Sequence, residues 1–115
     1  MILVVFELEP RDGQSEAYFD LAADIGSELE HVDGFISVER FQSLACEGKY
    51  LSLSLWRDEA AVKAWRTHTR HRAAQALGRS RILSNYTLRV AQVLRNYGQE
   101  QRDEVPADSA ACHGG

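Results

Sequence analysis

The first strand-length run of the chain is apolar on both of its alternating faces. One face is formed by Ile2, Val4, Phe6 and Leu8, and the other begins with Leu3 and Val5. A β-strand of this kind must be covered on both sides, because water is a poor environment for either set. The fold therefore needs packing layers on two sides of this strand. Since the run has no basic leader and acids follow it at once, we interpret it as a strand of a cytoplasmic protein.

Two helices and three more strands are predicted from the hydrophobic periods of the remaining sequence. Period-2 patterns predict strands over 35–43, 50–56 and 85–94, and helical periods predict helices over 14–31 and from 58 to about 77. Ser15 and Asp58 are suited to cap the starts of the two helices. In the third strand Leu51, Leu53 and Leu55 alternate with polar and aromatic residues, so we expect these leucines to face the core.

The order of these elements, β-α-β-β-α-β, predicts a ferredoxin-like α+β fold. Such a fold has a four-stranded antiparallel sheet with both helices on one face. Its other face would carry too much apolar surface to be left in water, so we expect a second copy to cover it in a two-fold homodimer. The domain is assigned to residues 1–97. Residues 98–115 lose the hydrophobic period and are predicted to form a disordered tail.

Charge and composition exclude some classes of partner. The net charge of −4 argues against nucleic acid, and no apolar run is long enough to span a membrane. Eleven acids and two bases lie between Glu7 and Glu47, whereas seven bases and two acids lie between Arg57 and Arg81. The basic segment either complements the acidic one or attracts an anionic or electron-rich ligand. The two cysteines are expected to be free thiols.

The segment 64–75 concentrates side chains that are suited to a binding site. On a helix, one side of this segment would carry Trp65, His68, Arg72 and Gln75. His68 and His71 share the i, i+3 spacing of paired metal ligands, but no third ligand stands at motif spacing, so no metal is expected. The sequence has no phosphate loop, nucleophile elbow or cysteine redox motif. This leaves acid–base or oxygen chemistry on a bound organic molecule.

Several stretches together resemble the antibiotic biosynthesis monooxygenase domain family of the dimeric α+β barrel superfamily. They are the βαββαβ order, Asp33-Gly34-Phe35-Ile36-Ser37, the strand over 50–56, the pattern over 64–75 and the segment 85–90. The resemblance covers residues 1–97 and implies a homodimer of ferredoxin-like subunits, each with a cavity between sheet and helices. It also implies oxidation of phenolic intermediates to quinones with O₂, without metal or flavin. A related branch of the superfamily binds and degrades haem.

The resemblance and the chemistry of phenol oxidation together give the candidate site residues. The resemblance implies that Trp65 lies in the cavity, with His71 near the position of a haem-ligating histidine. The haem degraders have an asparagine in the first strand, where this sequence has Val5-Phe6-Glu7. His71 or His68 would take the substrate proton, and Arg72 would stabilise the resulting anion. The catalytic candidates are Trp65, His71 and Arg72, and the substrate-binding candidates are His68, Phe6, Tyr50, Trp56, Gln75 and Tyr86.

Three hypotheses on function remain open at the level of sequence. The first is a monooxygenase that needs no cofactor and oxidises a small phenolic or quinonoid aromatic substrate. The second is a module of the same fold that binds haem or another flat ligand. The third is a structural dimer whose cleft is filled by its own side chains. A cavity beside Trp65 would argue against the third hypothesis.

Overall fold

The computed structural model describes residues 1–68 and 81–109 of the chain. Its elements are β1 (Ile2–Pro10), α1 (Ser15–Leu29), β2 (Phe35–Gln42), β3 (Tyr50–Trp56), α2 (Glu59–His68) and β4 (Leu83–Gln92). The strands form one antiparallel sheet in the order β2-β3-β1-β4. The ferredoxin-like βαββαβ prediction is therefore confirmed. Within the described residues, no helix is long and apolar enough to cross a membrane.

Element boundaries differ from the sequence prediction at a few ends. Strand β3 agrees with the prediction at both ends, whereas β4 begins at Leu83, two residues before the predicted start. Ser15 is the first residue of α1 and not its cap; Gln14 occupies the cap position without a side-chain hydrogen bond. Asp58 does cap α2, since its Oδ1 accepts a hydrogen bond of 2.9 Å from the Ala61 backbone N–H.

The helices pack on the face of the sheet that carries Ile2, Val4, Phe6 and Leu8 of β1. The antiparallel register places these residues opposite Trp56, Ser54, Ser52 and Tyr50 of β3. The expectation that Leu51, Leu53 and Leu55 face the core is therefore wrong. These leucines share the other face with Leu3 and Val5, away from both helices. Alternation fixes which residues share a face, but it does not fix which face the helices cover.

Two buried clusters hold the helices to the sheet. In the first, Leu29 of α1 and Ala61 of α2 pack against Ile2 and Trp56. The second joins α1 to the sheet through Leu8, Tyr18, Ala22 and Leu83. Each cluster uses β1, the strand that lies between β3 and β4. The central strand therefore anchors both ends of the layer between sheet and helices.

A network at the end of β3 positions the start of α2. The Arg57 guanidinium donates to both carboxylate oxygens of Asp33, at 3.2 and 3.1 Å, and to Asp58 Oδ2 at 3.2 Å. The Ala61 N–H bond and Arg57 lower the pKa of Asp58, and Arg57 lowers the pKa of Asp33. Because these groups are exposed, they set the geometry of the junction more than its stability.

Residues 93–109 follow β4 and are held by local hydrogen bonds. The Gly98 N–H donates to the Gln101 carbonyl at 2.7 Å, and the Asn96 N–H donates to Glu104 Oε1 at 2.7 Å. The Arg102 guanidinium lies 5.8 Å from the centre of the Tyr97 ring. The division into a domain over 1–97 and a tail over 98–115 stays a prediction.

Gly34 allows the chain entering β2 to approach α2 closely. Its φ is 89°, and a Cβ at this position would lie 2.5 Å from the Ala61 Cβ. The Gly34 carbonyl also accepts the Arg57 backbone N–H at 2.7 Å, which fixes the distance between β2 and β3 at this end. Any side chain at this position would therefore meet both a disfavoured backbone conformation and a steric clash.

We expect Gly34→Ala to lower the free energy of unfolding by about 2–5 kcal/mol, the sum of a left-handed backbone cost and an overpacking cost. Gly48→Ala is the matched control, because Gly48 has a φ of 79° but nothing within 4 Å of its added Cβ. The control should lose only about 1–2 kcal/mol. Urea denaturation measures both values, and equal losses would contradict the role of the close approach to α2.

Candidate functional site

A cavity of about 310 Å³ lies between the helix-bearing face of the sheet and the two helices. Its volume is at the lower end of the range for small-molecule sites. Most of its wall is aliphatic or aromatic, and the side chains come from all four strands and both helices. This composition suits an organic ligand with a mainly apolar body.

The cavity exists because short side chains face each other between the two buried clusters. On β3, Ser52 and Ser54 stand between the larger Tyr50 and Trp56 on the same face of the sheet. On α1, Ala22 and Gly26 are spaced by one helical turn and both line the cavity. Large residues at these four positions would fill the space, so this pattern of small residues defines the site.

Trp56 forms one wall of the cavity and is fixed in its orientation. The residue is 2% exposed, and its indole N–H donates a hydrogen bond of 2.9 Å to Ser54 Oγ. Its ring also meets Phe35 edge to face, with centroids 5.4 Å apart. Because an unpaired buried indole N–H is costly, Ser54 determines how this ring is held.

Tyr18, Arg40 and Ser52 are polar residues in the mainly apolar wall, and we call these three residues the polar corner. Burial raises the pKa of the Tyr18 phenol, and the positive charge of Arg40 partly opposes this shift. Tyr18 is therefore a neutral hydrogen-bond donor at neutral pH. Arg66 of α2 also lines the cavity, and no aspartate or glutamate does so among the described residues.

Three of the sequence-predicted site residues lie together in this cavity. Trp65 of α2 is half-buried, lines the cavity and packs against the first buried cluster. Trp56 and Phe6 line it from the sheet. These residues supply the aromatic wall that the sequence led us to expect.

Two other predicted residues share the same sheet face but do not line the cavity. Tyr50 stacks on Tyr18 with ring centroids 6.3 Å apart and meets Phe19 edge to face at 5.2 Å. Tyr86 is 61% exposed and stacks on Phe6 at 5.5 Å. Tyr50 therefore packs against the cavity residue Tyr18, and Tyr86 packs against the cavity residue Phe6.

The remaining predicted residues fall at the edge of the described chain or beyond it. His68 is the last residue of α2, and its side chain lies outside the description. His71, Arg72 and Gln75 lie outside the described residues. Their assignment to catalysis or binding stays a prediction. Within residues 1–68 and 81–109, no three histidine, cysteine or acidic side chains are grouped in a way that could hold a metal.

Sequence reasoning missed Tyr18, Arg40, Ser52 and Ser54. The serines of β3 were assigned to the polar face of an alternating strand, opposite leucines that were expected to face the core. Arg40 is separated from Tyr18 by the rest of α1 and the first part of β2, so no local spacing links them. A usable signal was present, because serines between two aromatic residues and a small pair one turn apart on α1 together indicate a cavity.

The chain matches known sequences over most of its length. The sequence model of the family described as antibiotic biosynthesis monooxygenase matches residues 1–77. A jasmonate monooxygenase of Pyricularia oryzae is 44% identical over 93 residues, which are 81% of this chain and 43% of that protein. The chain spans about half the length of the curated relatives it matches.

Solved structures with a similar fold include two of bacterial origin. The protein Rv0793 from Mycobacterium tuberculosis has a TM-score of 0.73 at 17% identity, with 84% of this chain and 98% of that chain covered. SnoaB, a cofactor-independent oxygenase from Streptomyces nogalater, has a TM-score of 0.70 at 13% identity, with 83% and 94% covered. At these identities the comparison shows a shared fold.

We expect Ser54→Ala to lower the free energy of unfolding by about 1–3 kcal/mol, because the buried Trp56 indole N–H would lose its acceptor. Ser52→Ala is the matched control. Ser52 lies on the same strand and face, but its hydroxyl makes no side-chain hydrogen bond with any residue of 1–68 or 81–109. Chemical denaturation followed by tryptophan fluorescence measures both variants. A Ser54→Ala protein as stable as the control would contradict this role.

Proposed function

Because the chain belongs to the antibiotic biosynthesis monooxygenase family, we propose that it is a cofactor-independent monooxygenase acting on a small organic substrate. The reaction takes place in the cavity between the sheet and the helices. The observation that carries the proposal is this cavity of about 310 Å³, with Trp56, Trp65 and Phe6 in its wall. An open cavity beside Trp65 also argues against a cleft filled by its own side chains.

The proposed substrate is a phenolic or quinonoid aromatic compound that contains an acidic C–H or O–H group. Loss of a proton gives an electron-rich anion, and this anion reacts with O₂. For an anthrone-type substrate the ring CH₂ becomes C=O, one oxygen atom enters the product and the other leaves as water with the two hydrogens. The four electrons come from the substrate, so this reaction needs no external reductant.

The cavity wall supports this chemistry in two ways. Aromatic and aliphatic side chains exclude water, which strengthens each electrostatic contact with an anion. Arg40 and Arg66 provide positive charge, and no acid opposes it among the described lining residues. In the proposal, His71 or His68 removes the proton and Arg72 assists the anion, on the basis of the sequence pattern.

A second candidate substrate is a non-aromatic carboxylic acid. The relative from Pyricularia oryzae is named for its action on jasmonate and shares 44% of its residues over the matched region. The apolar cavity wall suits an alicyclic body as well as an aromatic one. In this case the reaction class would remain oxygenation, and the substrate class would change.

The purified protein should consume O₂ with an anthrone or hydroquinone substrate in the presence of EDTA and without flavin or haem. An oxygen electrode and ¹⁸O₂ labelling measure uptake and incorporation. Trp65→Ala should lower kcat/KM by about tenfold or more, because it removes part of the wall that orients the substrate. Leu44→Ala is the control, since Leu44 is fully exposed in the loop between β2 and β3.

Several outcomes would contradict this assignment. Uptake that is abolished by EDTA, or that requires added haemin, would point to a metal or haem protein. Uptake unchanged by Trp65→Ala would place the reaction elsewhere. Uptake unchanged by both His71→Ala and Arg72→Ala would remove these two residues from the mechanism.

We also propose that the chain forms a homodimer through the face of the sheet opposite the helices. Leu3, Val5 and the three leucines of β3 lie on this face, and Phe41 of β2 is 44% exposed there. Glu7 lies on the same face, 3.8 Å from Lys49 and 3.4 Å from Arg89. No described helix covers these residues, so a second copy would remove a large apolar surface from water.

Sedimentation velocity should therefore show a dimer at micromolar concentration. Leu53→Glu should shift the protein towards a monomer, because it places a charge in the middle of the apolar face. Leu44→Glu introduces the same charge in an exposed loop and should remain dimeric. A wild-type monomer, or a Leu53→Glu protein that is still fully dimeric, would contradict this interface.

A further inference from the structure

The polar corner formed by Tyr18, Arg40 and Ser52 offers three hydrogen-bond donors, which is more than the positive charge that the oxidation of a phenol would use. Arg40 of β2 and Ser52 of β3 are direct partners in the sheet register and line the cavity together. Side chains in such a pair start from Cβ atoms about 5 Å apart. Tyr18 of α1 lines the same cavity, and the positive charge of Arg40 lowers the pKa of its phenol against the larger effect of burial. One helix and two strands thus converge on this corner.

The charge in the cavity wall is unbalanced towards the positive. Arg40 and Arg66 are the charged side chains among the described lining residues. Arg66 already interacts with another group of the chain. The Arg40 guanidinium forms no ion pair with any residue of 1–68 or 81–109. An uncompensated guanidinium beside an apolar cavity attracts an anion.

The donors at this corner match the shape of a carboxylate. A guanidinium binds the two oxygens of a carboxylate through parallel N–H bonds. The Tyr18 phenol stays protonated at neutral pH, and the Ser52 hydroxyl has no side-chain partner among the described residues, so both can donate. A single positive charge also balances a single negative charge, unlike the double charge of a phosphate monoester.

We propose that Tyr18, Arg40 and Ser52 bind the carboxylate of the substrate, so the ligand of this cavity is a small organic acid with an apolar body. This proposal rests on the cavity being the substrate site, as proposed above. Arg40 is exposed, which leaves the ion pair at the cavity mouth and avoids the large cost of burying two charges. The apolar body then extends inwards towards Trp56 and Trp65.

Binding of two matched pairs of probes tests this proposal. The pairs are jasmonate with methyl jasmonate, and 1-naphthylacetate with its methyl ester. Within each pair the body is the same and the negative charge differs. Isothermal titration under nitrogen measures affinity without turnover. At least one acid should bind about tenfold or more tightly than its ester, because a hydrogen bond to a charged group contributes about 1.5–3 kcal/mol and each tenfold in affinity corresponds to about 1.4 kcal/mol.

Substitutions then locate the source of the preference. Arg40→Gln should weaken binding of the acid about tenfold and leave the ester unchanged, whereas Arg40→Lys should retain part of the preference. Tyr18→Phe should cause a smaller loss that is again confined to the acid. Arg95→Gln is the control, because Arg95 is exposed and lies outside the cavity wall. Thermal unfolding of each variant verifies that it is folded.

The proposal is overturned if ester and acid bind equally, if no probe binds at millimolar concentration, or if Arg40→Gln leaves the preference intact. It is also overturned if Arg66→Gln removes the preference and Arg40→Gln does not. If the acid preference depends on Arg40 but no substrate consumes O₂, the carboxylate site stands and the oxygenase function fails. The two proposals can therefore be separated.

Discussion

The central strand β1 is apolar on both faces, and the rest of the structure follows from the need to cover both. On one face the two helices and two buried clusters provide that cover. On the other face the leucines of β3 extend the apolar surface beside Leu3 and Val5. The site lies in the first of these layers. Its cavity exists because the short side chains of Ser52, Ser54 and Gly26, with Ala22 at the edge of the second cluster, leave space between the sheet and the helices.

Local patterns were sufficient to predict the order of elements, the antiparallel sheet and the exact extent of β3. They failed to predict which face of β3 is buried, because this depends on which face of the sheet the helices cover. The leucines of β3 looked like core because they are the larger apolar residues of an alternating strand. The register shows that the serine face receives the helices. The same error concealed the cavity, because serines facing a helix layer resemble serines facing water when only the sequence is read.

The aromatic wall of the site was easier to predict than its polar groups. Trp65 and Trp56 are large enough that almost any packing brings them to a core or a cavity. Arg40 and Tyr18 gain significance only together, because the tertiary fold brings β2 and α1 to the same cavity. Residues that act in such non-local pairs carry no periodic signal. Their chemistry becomes visible only when burial and charge are considered together.

The position of Arg40 has a consequence for how an oxygenase of this shape would control its substrate. A cation deep in an apolar cavity would pay a high desolvation cost and would hold an anion near the reacting centre. A cation at the mouth holds one end of the ligand while the apolar walls hold the other. The ligand then has one preferred direction in the cavity, and the atom presented to Trp65 depends on its distance from the charged end. Which atom of the substrate reacts would thus depend on the length of the ligand. Arg40 would hold the charged end, and the apolar wall would hold the other end near Trp65.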